Sequence, residues 1–134
     1  METVDCILFL RADRMAAKAC DGRIHVWSMH LPTPPTPSTP VHGAVGAAAP
    51  SMQLLACMRV PGGGSSGLRS RVLMSGTPDG SHICVGSSCG DVAVYEAVGG
   101  AKVQVVCGSQ GVLVRCCGLS HDCRHLVASA GGGG

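Results

Sequence analysis

The sequence predicts an all-β chain of short antiparallel strands joined by glycine turns. Three observations predict it. The stretch "RIHVW", Arg23 to Trp27, alternates directly after an Asp-Gly pair, which is a strong hairpin signal. The opening run "VDCILFL" is apolar and β-favouring. A similar arrangement of strand, turn and strand then returns twice, in "TPDGSHICVGSSCGDVAVYE" and in "VRCCGLSHDCRHLVAS".

Residues 4–10 form the first expected strand, followed by a polar break from Arg11 to Arg14 and a short run from Met15 to Ala19. Cys20-Asp21-Gly22 makes a turn, because Asp accepts local backbone hydrogen bonds and Gly tolerates positive φ. In the strand that follows, Ile24 and Val26 face one way while Arg23, His25 and Trp27 face the other. The second unit turns at Asp79-Gly80, turns again at Gly90 and ends its alternating strand in Tyr95-Glu96. The third turns at His121-Asp122. Asp79 and Asp122 are 43 residues apart, as are Ile83 and Leu126. The longer step from Asp13 to Asp79 implies one such period plus an insertion, and the Pro- and Thr-rich segment supplies it.

Composition bounds what the chain does. Net charge is +2 and 13% of residues are charged, too little and too dispersed for an electrostatic claim on nucleic acid. Arg69 with Arg71 and Arg124 with His125 read as solvated loops. The apolar run Cys6–Leu10 is shorter than the 7–15 residues of a signal-peptide core, and nothing approaches the ~18 needed to cross a bilayer, so an intracellular protein is expected. Nine cysteines without a secretory signal are expected to be reduced, most of them packing as small hydrophobes. One Phe, one Trp and one Tyr leave a core of small aliphatic side chains, and with it marginal stability for this piece alone.

A period of about 40–45 residues with several strands per unit resembles WD40 propeller blades. In that resemblance "ACDGRIHVW" is the end of a repeat, Trp27-Ser28 stands for the usual Trp-Asp, and Tyr95-Glu96 takes its place in the second unit. The resemblance implies structural positions at Asp21, Gly22, Trp27, Asp79, Gly80, Gly90, Tyr95 and Asp122, with the indole packed between neighbouring sheets and Asp21 locking its turn. The fold expected is an incomplete β-propeller of about two to three four-stranded antiparallel blades. Its parts are a partial blade over 1–30, a Pro/Thr/Ala-rich insertion over 31–52, a blade over 53–100, and the start of a further blade over 101–134. Seven such periods need roughly 300 residues, so the chain reads as a fragment of a longer protein.

Within WD40 proteins, the ordered strings are similar to the C-terminal blades of the Polycomb group EED/ESC/FIE proteins. Val4, Asp5, Cys6, Lys18 and Trp27 match the first string, "VGSSCGDVAVYE" resembles the next blade, and Arg115, Ser120 and Asp122 match the last. That resemblance implies a non-enzymatic scaffold in the nucleus, in a complex with a SET-domain histone methyltransferase subunit and a histone tail, acting in transcriptional repression. The family's methyl-lysine cage needs aromatic faces within ~6 Å of the cation, but the corresponding positions fall near Val72 and Leu73, so methyl-lysine reading is not carried over. The alternatives are a generic WD40 adaptor in another complex, nuclear or cytoplasmic, and, from a different class, a metal-binding or redox-active Cys/His module.

Three further motifs carry candidate chemistry. "CCGLSHDCRH" holds Cys116, Cys117, His121, Cys123 and His125, the residue types zinc prefers, but without a Cys-x-x-Cys pair and with Cys116 and Cys117 on opposite strand faces. Core thiols and turn histidines explain it better, as they do a Cys123 nucleophile with His121 or His125 as base. "GGGSSG" (62–67) lacks the Lys of a phosphate loop and reads as a connection between blades. "PTPPTPSTP" has polyproline II spacing, suited to an SH3 or WW domain or to a linker. No cofactor and no metal site is expected.

Overall fold

The computed structural model describes residues 3–30, 32, 49–60, 72–108 and 111–131. Ten strands account for the regular structure of these residues: β1 (Val4–Arg11), β2 (Arg14–Ala19), β3 (Arg23–His30), β4 (Ser51–Arg59), β5 (Met74–Gly76), β6 (His82–Gly86), β7 (Asp91–Glu96), β8 (Lys102–Cys107), β9 (Leu113–Leu119) and β10 (Leu126–Gly131). They form three antiparallel sheets, two four-stranded in the order β1-β2-β3-β4 and β5-β6-β7-β8, and one two-stranded from β9 and β10. The fold is all-β.

Each sheet is a meander, its strands paired in chain order, and most of its connections are short turns. Ala12-Asp13 joins β1 to β2 with Arg11 opposite Arg14. Gly22 (φ 85°) joins β2 to β3 and Gly90 (φ 96°) joins β6 to β7, both in the left-handed region that glycine enters without strain. In both four-stranded sheets the residue after the last strand bonds to a turn glycine: Val60 N donates to Gly22 O at 2.9 Å, and Gly108 N donates to Gly90 O at 3.2 Å. These matching bonds put the first two sheets in a common register.

Pairing assigns two strands differently from the sequence reading. Residues 53–59, joined there to the second unit, lie in β4 and pair with β3, so the first sheet is complete with four strands. Ser51 and Met52, placed in the insertion, belong to the same strand. Residues 102–107, joined to a third unit, pair with β7 in the second sheet. The physical reason is that β4 and β8 are outer strands: β8 is exposed along its whole length and β4 over its first four residues, so little in either sequence ties it to its neighbour. The extra length of the first unit is also split. Residues 31–50 join β3 to β4 and 60–73 join β4 to β5, against 97–101 and 108–112 in the second unit.

The sheets stack face to face, with first strands β1, β5 and β9 packed in succession. Leu10, Ala16, Ile24, Val26, Ala56 and Met58 of the first sheet meet Met74, Ile83, Val85, Ala93 and Tyr95 of the second. The other face of the second sheet, Cys84, Val92 and Val94, meets Val114 and Cys117 of the third. The inner strands β6 and β7 of the second sheet are therefore buried on both faces, which is why "HICVG" and "DVAVYE" carry apolar residues at consecutive positions. Gly86 allows the tightest approach. A Cβ there would lie 2.3 Å from the carbonyl oxygen of Val114. Lys18 also faces inward, 5% exposed, and its ammonium pairs with Asp5 Oδ2 at 2.5 Å. Asp5 is the extra residue of a bulge in β1.

Candidate protein-interaction face

The face of the first sheet turned away from the second carries an apolar surface. Cross-strand registry places Ile7 beside Ala17 and His25, and Phe9 beside Met15, Trp27 and Leu54. Val4, Ile7, Phe9, Met52 and Leu54 are each more than half exposed. At the centre is a shallow depression of about 310 Å³ lined by Val4, Ala17, Ala19, His25, Trp27 and Leu54. The rings of His25 and Trp27 lie 5.5 Å apart at 31°, so the indole rests on its own strand neighbour. At one end Arg23 Nε pairs with Asp21 Oδ2 at 2.9 Å, and Asp21 Oδ1 accepts from the Arg23 amide at 3.0 Å.

Tyr95 is the counterpart of Trp27 in the second sheet. It follows Gly90 by the same interval as Trp27 follows Gly22, and the common register of the two turns makes the sites equivalent. Tyr95 lies between the first and second sheets, 3% exposed, and its hydroxyl donates to the carbonyl of Arg59, the last residue of β4, at 2.8 Å. Burial pushes its phenol above the usual value. Trp27 faces the corresponding direction from the first sheet and remains half-buried, with no further sheet over it among the described residues.

The second and third units share a turn that matches atom for atom. Thr77 Oγ1 donates to Asp79 Oδ1 at 2.6 Å, and the same oxygen accepts from Ser81 N at 3.0 Å. Thr77 Oγ1 in turn accepts from His82 N at 3.0 Å. In the third unit Ser120 Oγ donates to Asp122 Oδ1 at 2.5 Å, Arg124 N donates to Asp122 at 3.1 Å, and His125 N donates to Ser120 Oγ at 2.9 Å. The Thr77 hydroxyl, then the Ser81 hydroxyl and amide, hold Asp79 far below the usual carboxylate range; the Ser120 hydroxyl, then the Arg124 amide, lower Asp122. Gly80 takes φ 70° in this turn, and Cys123, at the same place 43 residues on, takes φ 57°.

This chain can be set beside solved structures. It aligns with U3-55K (TM-score 0.59, 17% identity, 96% of this chain and 33% of that one) and with the RRP9 WD40 repeats (0.60, 16%, 96% and 32%). It also aligns with Hsv2 of Kluyveromyces lactis (0.57, 15%, 93% and 33%). The chain has the fold of WD40 repeats. It spans about a third of the length of each of these three. No family model and no curated protein sequence matches it. The three sheets are thus read as WD40 blades, the third represented by two strands.

The WD40 positions named from the sequence do not gather at one point. Asp21, Gly22, Gly90, Asp79, Gly80 and Asp122 are turn residues, while Trp27 and Tyr95 lie on corresponding faces of successive blades. Ser87 escaped the sequence reading. Cys89 stands where the first blade has Asp21, and the turn is held instead by the buried Ser87 hydroxyl, which accepts from Cys89 N at 3.2 Å and Asp91 N at 3.1 Å. A Ser four residues before the strand-opening Asp91 is the only trace of that in the sequence.

The Cys/His cluster does not assemble. Cys117 is buried against Cys84, Cys116 and Cys123 are exposed, and His125 Nδ1 lies 3.9 Å from Asp122 Oδ1. Among the described residues no three His, Cys, Asp or Glu side chains are placed to hold a metal ion. All nine cysteines are free thiols. The segments "PTPPTPSTP" and "GGGSSG" lie outside the described residues, apart from Pro32.

Proposed function

We propose that this chain is a non-enzymatic WD40 scaffold whose outer first-blade face, centred on Trp27, docks a further antiparallel blade-like sheet. The single observation that carries this reading is the equivalence of Trp27 and Tyr95. In the second blade that site is closed by a neighbouring sheet and its aromatic hydrogen-bonds the end of the neighbour's outer strand. In the first blade the same aromatic position, framed by apolar residues more than half exposed, offers an indole N–H and a depression to match. A sheet of the same kind supplies both the apolar face and the free carbonyl that this site lacks.

Site-specific photo-crosslinking in cells tests it. A photoreactive residue at Leu54 is expected to give one discrete adduct, whose partner peptide maps to a β-strand. No adduct from Leu54, while the same probe at the exposed Val127 gives one, would overturn the reading.

A narrower reading, as a subunit of a Polycomb-type histone methyltransferase complex in transcriptional repression, is supported by the ordered strings of sequence. One physical link joins two of their matching residues: Asp5 and Lys18 form the buried ion pair of the first blade. Its partner is a SET-domain subunit and its location the nucleus. Val72 and Leu73 leave methyl-lysine recognition out of it, since neither side chain has a π-face. Copurification of a SET-domain subunit from nuclei is the expected result, and its absence from an otherwise intact complex contradicts the narrower reading alone.

A further inference from the structure

Cys84 on β6 and Cys117 on β9 meet between the second and third blades, with their Sγ atoms 3.6 Å apart and both residues buried. Two main-chain bonds clamp β9 here: Val114 N donates to Ser87 O at 3.1 Å, and Leu73 N donates to Arg115 O at 2.8 Å. With Gly86 leaving no gap between β6 and Val114, the two thiols are held in contact by the backbone. Cys116, the next residue, is exposed on the other side of β9. None of this contributes to the Trp27 face, so the pair is an independent site.

We propose that Cys84 and Cys117 are a redox-active dithiol that closes to an intrachain disulfide, locking the third blade onto the second, with a low-molecular-weight disulfide as oxidant. A disulfide has sulfurs about 2.05 Å apart, so closure needs an approach of roughly 1.5 Å, on the scale of a side-chain rotation with a small strand adjustment. Cys84 is the attacking sulfur. It accepts a hydrogen bond from the Cys117 thiol and is further favoured as a thiolate by Ser75 on the neighbouring strand, which together hold it below its ordinary value. The same contact, then burial, pushes Cys117 up.

The chemistry balances as thiol–disulfide exchange. Cys84 gives its proton to solvent, and its thiolate attacks one sulfur of the small disulfide RSSR. A Cys84–SR bond forms, the S–S bond of the reagent breaks, and RS⁻ leaves. Cys117 then loses its proton and attacks Cys84 Sγ, forming the protein disulfide and releasing the second RS⁻. The two thiolates take up the two protons. Two protein thiols are oxidised and one RSSR is reduced to two RSH. Access comes from opening of the third blade, which has two strands among the described residues and exposes most of β10.

The test uses the full chain with oxidised glutathione, followed by alkylation, digestion and mass mapping without reduction. The expected result is a peptide linking Cys84 to Cys117 that also forms in Cys116→Ala and Cys123→Ala, together with a higher urea midpoint that dithiothreitol reverses. In Cys117→Ala the reaction is expected to stop with glutathione on Cys84. If that variant fails to fold, the map of the unsubstituted chain decides. Cys84 remaining fully alkylatable after unfolding, or a link carried by Cys116 or Cys123 instead, would overturn the proposal.

Discussion

Replacing Gly86 by Ala introduces one methyl group at the closest approach between two blades. The new Cβ would lie 2.3 Å from Val114 O, 2.7 Å from its Cγ1 and 2.8 Å from its Cβ. An ordinary C···O contact is about 3.3–3.6 Å, so the β9 backbone has to retreat by about 1 Å. That stretches the 3.1 Å bond from Val114 N to Ser87 O beyond hydrogen-bonding range, a loss of about 1 kcal/mol. Overpacking against main chain adds about 1–3 kcal/mol, because a backbone atom cannot swing aside as a side chain can. We expect a total cost of about 2–4 kcal/mol, concentrated on the third blade. Urea unfolding combined with amide hydrogen exchange reads it: Val114 and Cys117 lose protection while Ile24 and Val26 keep theirs. Gly99→Ala is the control. Its φ of 89° strains a Cβ, but nothing lies within 4 Å, so β9 exchange stays unchanged. Unaltered β9 protection in Gly86→Ala, with stability within 0.5 kcal/mol of the parent chain, would refute the packing of the third blade described above.

Three further outcomes are expected. Asp5→Ala strands the buried Lys18 ammonium and should cost about 3–5 kcal/mol in urea unfolding, whereas Asp5→Leu combined with Lys18→Met should recover most of it. Cys123→Gly relieves a left-handed non-glycine residue at a cost of greater chain entropy when unfolded, for a net gain of about 0.5 kcal/mol, while Gly80→Ala at the equivalent place should destabilise. Asp79 and Asp122 are held below the carboxylate range of the unfolded chain, so their contribution is complete above about pH 4 and is lost as pH falls through their folded values. Thermal midpoints should therefore drop on acidification below about pH 4, and carboxyl carbon titration by NMR should show Asp79 ionising at lower pH than a free aspartate.

What was legible in the sequence was local. Asp21-Gly22 with the alternation behind it, and the 43-residue step from Asp79 to Asp122, are written in residues near one another and survive as turns with the same hydrogen bonds. The limits of the blades were not legible, because pairing sets them and the outer strands carry little burial. "KVQVVC" is exposed at every position, so nothing in it declares β7 as its partner. Cys123 hides in the same way. Its left-handed backbone is visible only by alignment with Gly80, because a cysteine carries no turn signal of its own. The role of Ser87 and the Cys84–Cys117 contact depend on side chains brought together from different turns and strands, which a single sequence does not reveal.

The central claim is that Trp27 occupies in the first blade the place Tyr95 occupies in the second, and that another sheet closes over it. The chain has a single tryptophan, so its fluorescence reports on that face alone. In the isolated chain, acrylamide should quench Trp27 readily; in the complex purified from cells after crosslinking, with tryptophan-free partners or selective isotopic and spectral labelling of this one, emission should shift to the blue and quenching should fall. Equal quenching in the two states would show that the face stays open to solvent when the protein is assembled, and would contradict the account.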